Sequence, residues 1–239
     1  MRTYYTAVGN FRRKRDRAGQ AYPVIIVNRQ EYMVDRQEMA LWTCLNWRIT
    51  SMEQAREHYE KLEQSLYPYI TRTFENCLKR LEVRGLVVSG SGDTDFEALY
   101  DLLGVLYVVP ISESIPLRAV TFLKMVLLDG VTVSQAKLLF QRDRPNQREA
   151  QVLALSKQAL LSTAELIKCA EAGVSDLSTD QKVMAALYND DFTTCDNIRW
   201  EMMQAGSRED VTLAVANLYL RKQIIFKRLG CYTKKGLIV

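Results

Sequence analysis

A chain of 239 residues, 48% hydrophobic and 25% charged, can hold one large domain or two modest ones, and this composition excludes wholesale disorder. With 11 Gly and 5 Pro, collagen-like and low-complexity readings fail, and the longest apolar stretch, Val105 to Ile111, is too short to cross a bilayer. The net charge of +4 is unevenly spread: residues 1–20 carry six Lys/Arg against one Asp, residues 221–239 carry six and no acid, and residues 21–220 hold 20 bases against 27 acids.

The chain begins MRTYYTAVGN, without an apolar signal core, and a cytoplasmic location is expected. Cys44, Cys77, Cys169, Cys195 and Cys231 are scattered and never form a CxxC pair, the pattern of reduced thiols rather than of a disulfide framework or a zinc site. His58, the one histidine, sits mid-helix among Arg56, Glu57 and Glu60 and is expected to face solvent. Gly90-Ser-Gly92 lacks the lysine and the helix-opening glycine of a phosphate loop, and no G-x-S-x-G turn is present. Asp190/Asp191 and Glu209/Asp210 read as helix-terminus acids, and Trp42, Trp47 and Trp200 as core. A non-catalytic protein without cofactor or metal is the expectation.

In chain order, residues 1–20 read as a basic arm. Tyr22 to Val27 predicts a β-branched strand, turned by Asn28 to Glu31 into a second over Tyr32 to Val34. Asp35 and Glu38 form a capping box for a helix carrying Met39, Leu41, Trp42 and Leu45. Ser51 with Gln54 opens a second helix to about Leu66, and Pro68 punctuates. A third helix from about Ile70 to Val83 aligns Ile70, Phe74, Cys77, Leu78 and Leu81 on one face. Gly85 ends it, and Leu86 to Ser89 starts a strand. Three helices with a strand straight after the third is the winged helix-turn-helix plan.

Beyond, Gly90 to Asp95 reads as a turn, Phe96 to Leu103 as a helix and Val105 to Val109 as a closing strand, with a boundary at Pro110 to Ile115. Residues 116–173 read as helical: Leu117 to Leu128, Ser134 to Phe140, and one long helix near Gln147 to Ala172. There Leu153, Leu160 and Ile167 recur every seven residues, which suits either a core helix or the seam of a homodimer. The first pattern then returns, with a helix capped by Ser178 or Thr179, a second through Ile198 to Met203 and a third from Arg208 to Lys222. Gln223 to Phe226 and Gly236 to Val239 would pair across the basic loop 227–235 as a wing.

Tyr32, Val34 and Asp35 before Ala40-Leu41-Trp42, then Leu45, Ile49-Thr50, Phe74, Leu78, Leu81, Gly85 and Leu86 carry a likeness. On these positions residues 24–86 resemble the PqqD-like family, the peptide-recognition domains of ribosomal-peptide modification systems. The resemblance implies a winged-helix variant in which a leader peptide adds as a strand to the sheet edge beside the third helix. The chain departs from that family by continuing through residues 87–239 with no modification enzyme visible. Its C-terminal half resembles generic winged-helix transcription regulators.

The expected fold is α+β, mainly α with small β-sheets: a basic arm (1–20), a first winged-helix domain (21–110), a helical connector (111–175) and a second winged-helix domain (176–239). The leading functional expectation is a regulator that binds double-stranded DNA. Third-helix side chains Arg72, Asn76, Lys79 and Arg80, with Arg208, Thr212, Asn217 and Arg221 on the second, would meet base edges and phosphates. Lys227, Arg228, Lys234 and Lys235 on the second wing would meet phosphate, as would Arg12, Arg13, Lys14 and Arg15 of the arm. Asp93, Asp95, Glu97 and Asp101 on the expected first wing oppose that use, and favour the alternative of a peptide- or protein-binding first domain. The basic ends lack an amphipathic anchoring helix, so no membrane partner is expected.

Overall fold

A computed structural model describes residues 1–17, 19–66, 71–111, 144–190 and 192–228, with backbone alone for 63–66. The helices expected over 117–128 and 134–140, and the strand over 236–239, lie outside the described residues. The architecture is α+β, with helices packed on three small antiparallel sheets. Among the described residues no helix is long and apolar enough to cross a membrane, and no group of three or more His, Cys, Asp or Glu could hold a metal ion.

The expected N-terminal arm is instead two strands. In β1 (Arg2–Ala7) the side chains become progressively buried, because the strand runs antiparallel to β5 (Val87–Gly92), with Arg2 opposite Gly92 and Ala7 opposite Val87. Strand β2 (Asn10–Arg15) joins β3 (Ala21–Val27) and β4 (Gln30–Met33) in a three-stranded meander. The bases of residues 12–15 therefore stand on a paired edge strand. Helix α1 (Arg36–Leu45) opens on the expected Asp35/Glu38 capping box. It buries Leu41, Trp42 and Leu45, each worth about 1.5–3 kcal/mol when fully removed from water. Its end leads to Thr50, which bridges Tyr5 of β1, and then to α2 (Met52–Leu66). Helix α3 (Phe74–Val83) starts on Thr73 and ends on Gly85, whose φ of +68° closes the helix into β5.

Strand β5 continues through Gly90 and Gly92, where a turn was expected, because the missing side chains let α4 (Asp95–Leu103) lie against the strand. Strand β6 (Tyr107–Pro110) does not close the first sheet. It pairs with β7 (Leu161–Ser162) on one side and β8 (Ile224–Lys227) on the other, which moves it into the second half of the molecule. The single long helix expected over 147–172 is broken: α5 (Gln147–Gln158), β7, then α6 (Thr163–Glu171) on a new capping box of Ser162 and Glu165. Leu153, Leu160 and Ile167 therefore do not form one seam, and the dimer helix is not present as expected. Within the expected connector, α5 and α6 both pack on α9 (Arg208–Leu220). Between them run α7 (Asp180–Leu187) and α8 (Ile198–Glu201), the latter extended by a 3-10 turn over Met202–Gln204.

The second half repeats the first, but from β6 onward rather than from residue 176. At one constant spacing, Asn146/Glu149 cap α5 as Asp35/Glu38 cap α1 and Ser162/Glu165 open α6 as Ser51/Gln54 open α2; Leu161 also faces Val108 as Thr50 faces Tyr5, at a shorter spacing between the two strand residues. The return strands agree as well. Val8 N–H donates to the Leu86 carbonyl and Ile111 N–H to the Gln223 carbonyl, both at 2.9 Å, while Leu86 N–H meets Leu81 and Gln223 N–H meets Leu218, again at 2.9 Å. In each repeat the middle strand (β1 or β6) precedes the helices, and α7 and α8 are an insertion before the last helix.

Candidate nucleic-acid interface

Helix α3 turns Phe74, Cys77, Leu78 and Leu81 inward, as the spacing predicts. Its other face, with the segment before it, lines a groove of about 490 Å3 formed by Arg72, Asn76, Lys79, Arg80, Val83 and Arg84. The four residues expected on this helix thus come together, and Arg84 joins them. Val83 is 79% exposed on the groove, so the wall between the cations is apolar and solvent-facing.

The arginines are oriented from behind. Glu38 is 2% exposed, and its carboxylate accepts Arg80 Nε at 2.8 Å and Arg84 at 2.9 Å. Arg84 also donates to the Met33 carbonyl and lies 5.8 Å from the Tyr32 ring centroid, tying the groove to β4. Arg72 pairs with Asp35. Burial alone would raise the Asp35 carboxyl, but the Glu38 and Gln37 backbone N–H groups and the Arg72 guanidinium together hold it below the usual carboxylate range. Lys79 and Asn76 are exposed, and the groove carries four cations against two carboxylates set behind it. Arg84 was missed in the sequence because it follows the last helical residue; the residue before a closing glycine is where a C-cap cation belongs.

Three of the four acids of the expected first wing are engaged elsewhere. Asp95 pairs with Arg2 and accepts the Tyr4 hydroxyl, Glu97 caps α4, and Asp101 pairs with Arg199 and accepts Ser91 N–H at 2.8 Å. None of them lines the α3 groove. Arg12, Arg13 and Arg15 are exposed on β2, while Lys14 reaches Glu31 across the meander.

Helix α9 does not assemble the matching face. Thr212 is 0% exposed and cannot reach a ligand, because α9 is clasped by α5 and α6 on one side and α4 on another. Arg208 is half-buried over the Phe96 and Tyr100 rings, and Arg221 is drawn to Glu149. Asn217 is exposed, but where α3 offers Asn76, Lys79 and Val83 the same turns of α9 offer Leu213, Ala216 and Leu220. Lys227 is half-buried in β8 and Arg228 exposed after it; Lys234 and Lys235 lie outside the described residues. Trp42 and Trp47 join the core as expected, but Trp200 is 61% exposed. His58 is only partly exposed, with Nδ1 shielded and unpaired, because α2 turns it toward the packed side.

No family model, curated protein or solved structure matches the chain.

Proposed function

We propose that this chain is a double-stranded DNA-binding regulator built from two winged-helix repeats, in which the first repeat alone reads the duplex. The observation that carries the reading is the groove on α3, where Arg72, Asn76, Lys79, Arg80 and Arg84 share one face with no carboxylate in its lining. In this reading α3 enters the major groove. Asn76 supplies paired hydrogen bonds to a base edge, and Lys79 and Arg80 meet phosphate. The β2–β3 hairpin serves as the wing, offering Arg12, Arg13 and Arg15 to the backbone beside the groove. The second repeat supplies assembly, its third helix being apolar where α3 is basic.

The test is fluorescence anisotropy with mixed-sequence duplex at two salt concentrations. Micromolar binding that falls steeply with salt is expected. Lys79→Ala should weaken binding to all sequences and reduce the salt slope by about 1, whereas Asn76→Ala should alter preference between sequences. Both side chains are exposed and neither is ion-paired among the described residues, so neither change should disturb the fold. Absence of binding at low salt would overturn the reading.

A second reading rests on β4, which ends its sheet next to α3 with Met33 68% exposed. An extended peptide could add there by main-chain pairing, in competition with Arg84 for the Met33 carbonyl. Backbone shifts confined to residues 24–34 and α3 on adding candidate peptides would favour it.

A further inference from the structure

A second cleft, of about 270 Å3, opens where the two repeats meet, between α4 on one side and α8, its 3-10 turn and the start of α9 on the other. It is smaller than the range of about 300–1,000 Å3 typical of drug-sized ligands, which limits an occupant to a small metabolite. Its lining combines three chemistries. Arg208 is held by the Phe96 ring at 5.0 Å and the Tyr100 ring at 5.5 Å, and among the described residues it has no carboxylate partner. Asp93 is exposed with no cation on its carboxylate among the described residues, beside Glu97, of which one oxygen takes the Asp93 and Thr94 N–H groups at 3.0 and 3.1 Å. Trp200, 61% exposed, and Met203 supply an apolar wall.

The other charged side chains that line the cleft, Asp101 and Arg199, are matched to each other, and Met1 also lines it. Asp101 is committed to Arg199, and the Tyr100 hydroxyl donates to the Arg199 carbonyl at 2.6 Å, so this wall is fixed in place by both repeats. What remains open is one cation, one or two carboxylates and an aromatic surface that folding alone leaves wet. A concave site that pairs an apolar wall with a few placed charged groups is the usual make-up of a small-molecule pocket.

We propose that this cleft binds a free α-amino acid with an apolar or aromatic side chain. The carboxylate meets the Arg208 guanidinium, the ammonium meets Asp93 and Glu97, and the side chain lies against Trp200 and Met203. A purely anionic ligand would meet Asp93 and Glu97 without compensation, and a purely cationic one would meet Arg208, so the zwitterion is the species that matches these three side chains. The site is separate from the α3 groove and stands whether or not that groove reads DNA.

The experiment uses the full chain and L-phenylalanine, L-leucine and L-methionine, followed by tryptophan emission and by calorimetry. Binding at millimolar or tighter affinity, with a blue shift of emission, is expected for at least one of the three. The matched amine and the matched carboxylic acid of the binder (phenethylamine and 3-phenylpropionate for phenylalanine) should each bind at least about tenfold more weakly. Arg208→Gln and Asp93→Asn should each lower affinity about tenfold. Asp93→Asn alters an exposed side chain that supports nothing else, so it reports on the site even if Arg208→Gln perturbs packing on Phe96. Trp200→Phe should abolish the emission change while calorimetry still detects heat. No heat and no emission change at ~10 mM of all three amino acids would overturn the proposal. So would affinity unchanged in Arg208→Gln and Asp93→Asn, or amine and acid analogues that bind as well as the amino acid.

Discussion

Arg221, at the end of α9, donates to the wholly buried carboxylate of Glu149 at 3.0 Å, as Arg84 at the end of α3 donates to that of Glu38 at 2.9 Å. Each glutamate is the third residue of its repeat's first helix and closes a capping box, so one carboxylate fixes a helix start and the last helix's exit together. A buried charge that loses its partner is costly. Arg221→Met, which strands the buried Glu149 carboxylate, should therefore destabilise the protein by about 3–5 kcal/mol in urea unfolding, and Glu149→Ala by less, because the arginine it leaves is partly solvated. Equal and negligible effects would show that the pair does not organise the repeat.

One hydroxyl ties the two repeats together at several points. Tyr219 OH accepts from Trp47 N–H and from Thr6 Oγ1, both at 2.9 Å, and donates to the Ala7 carbonyl at 3.2 Å, while its ring stacks on Phe226 with centroids 4.3 Å apart. Tyr219→Phe keeps the ring and strands the Trp47 N–H. A loss of about 1–3 kcal/mol is expected in the same unfolding assay.

Gly90 has a steric duty. A Cβ built there would overlap the backbone nitrogen and Cα of Leu102 in α4, and backbone cannot swing away as a side chain can. Gly90→Ala should cost about 2–3 kcal/mol and lower the melting temperature, whereas Gly85→Ala, with open space around it, meets only the strain of its positive φ.

The thiols should divide cleanly. Burial pushes Cys77 up to about 12 and Cys169 to about 11, and raises Cys44, so these three are protonated and shielded at neutral pH. Cys195 is exposed. Native-state alkylation mapped by mass spectrometry should mark Cys195 and spare Cys44, Cys77 and Cys169 until denaturant is added.

Acid should act on the α3 groove through Asp35. Its carboxyl is held below its ordinary value, so its contribution to stability is complete above the unfolded value near ~3.9 and is lost as pH falls through the folded one. Asp35→Asn retains a good N-cap but removes the charge that pairs with Arg72. The stability advantage of the native protein over the Asp35→Asn variant, measured by denaturation, should shrink steadily below about pH 4. An advantage independent of pH would rule out the ion pair as its source.

Local signals were readable in the sequence and long-range ones were not. The Asp35/Glu38 box, the inner face of α3 and its outward Arg72, Asn76, Lys79 and Arg80 need only helical spacing to be recognised. Strands β1 and β2 were hidden because a run of bases masks alternation, and because the partner of β1 lies beyond three helices. The break at Leu161–Ser162 was hidden by Ala159, Leu160 and Leu161, which suit a helix interior until β6 draws them into a sheet. Ser162 followed by Glu165 was the available signal. Thr212 and Trp200 exchanged their expected places for one reason. Helix α9 is apolar on more than one side and packs on several neighbours, which buries a polar residue, while α8 runs over the surface and leaves its tryptophan outside.

The position of β1 has a consequence for synthesis on the ribosome. The strand is made before both its neighbours: Thr50 follows the first helix and β5 the third. Until then it offers two unpaired edges to whatever chain is nearby. The nascent chain is thus most open to self-association while β1 waits for its partners, and a chaperone that shields Arg2–Ala7 would protect it until Gly92 has cleared the exit tunnel.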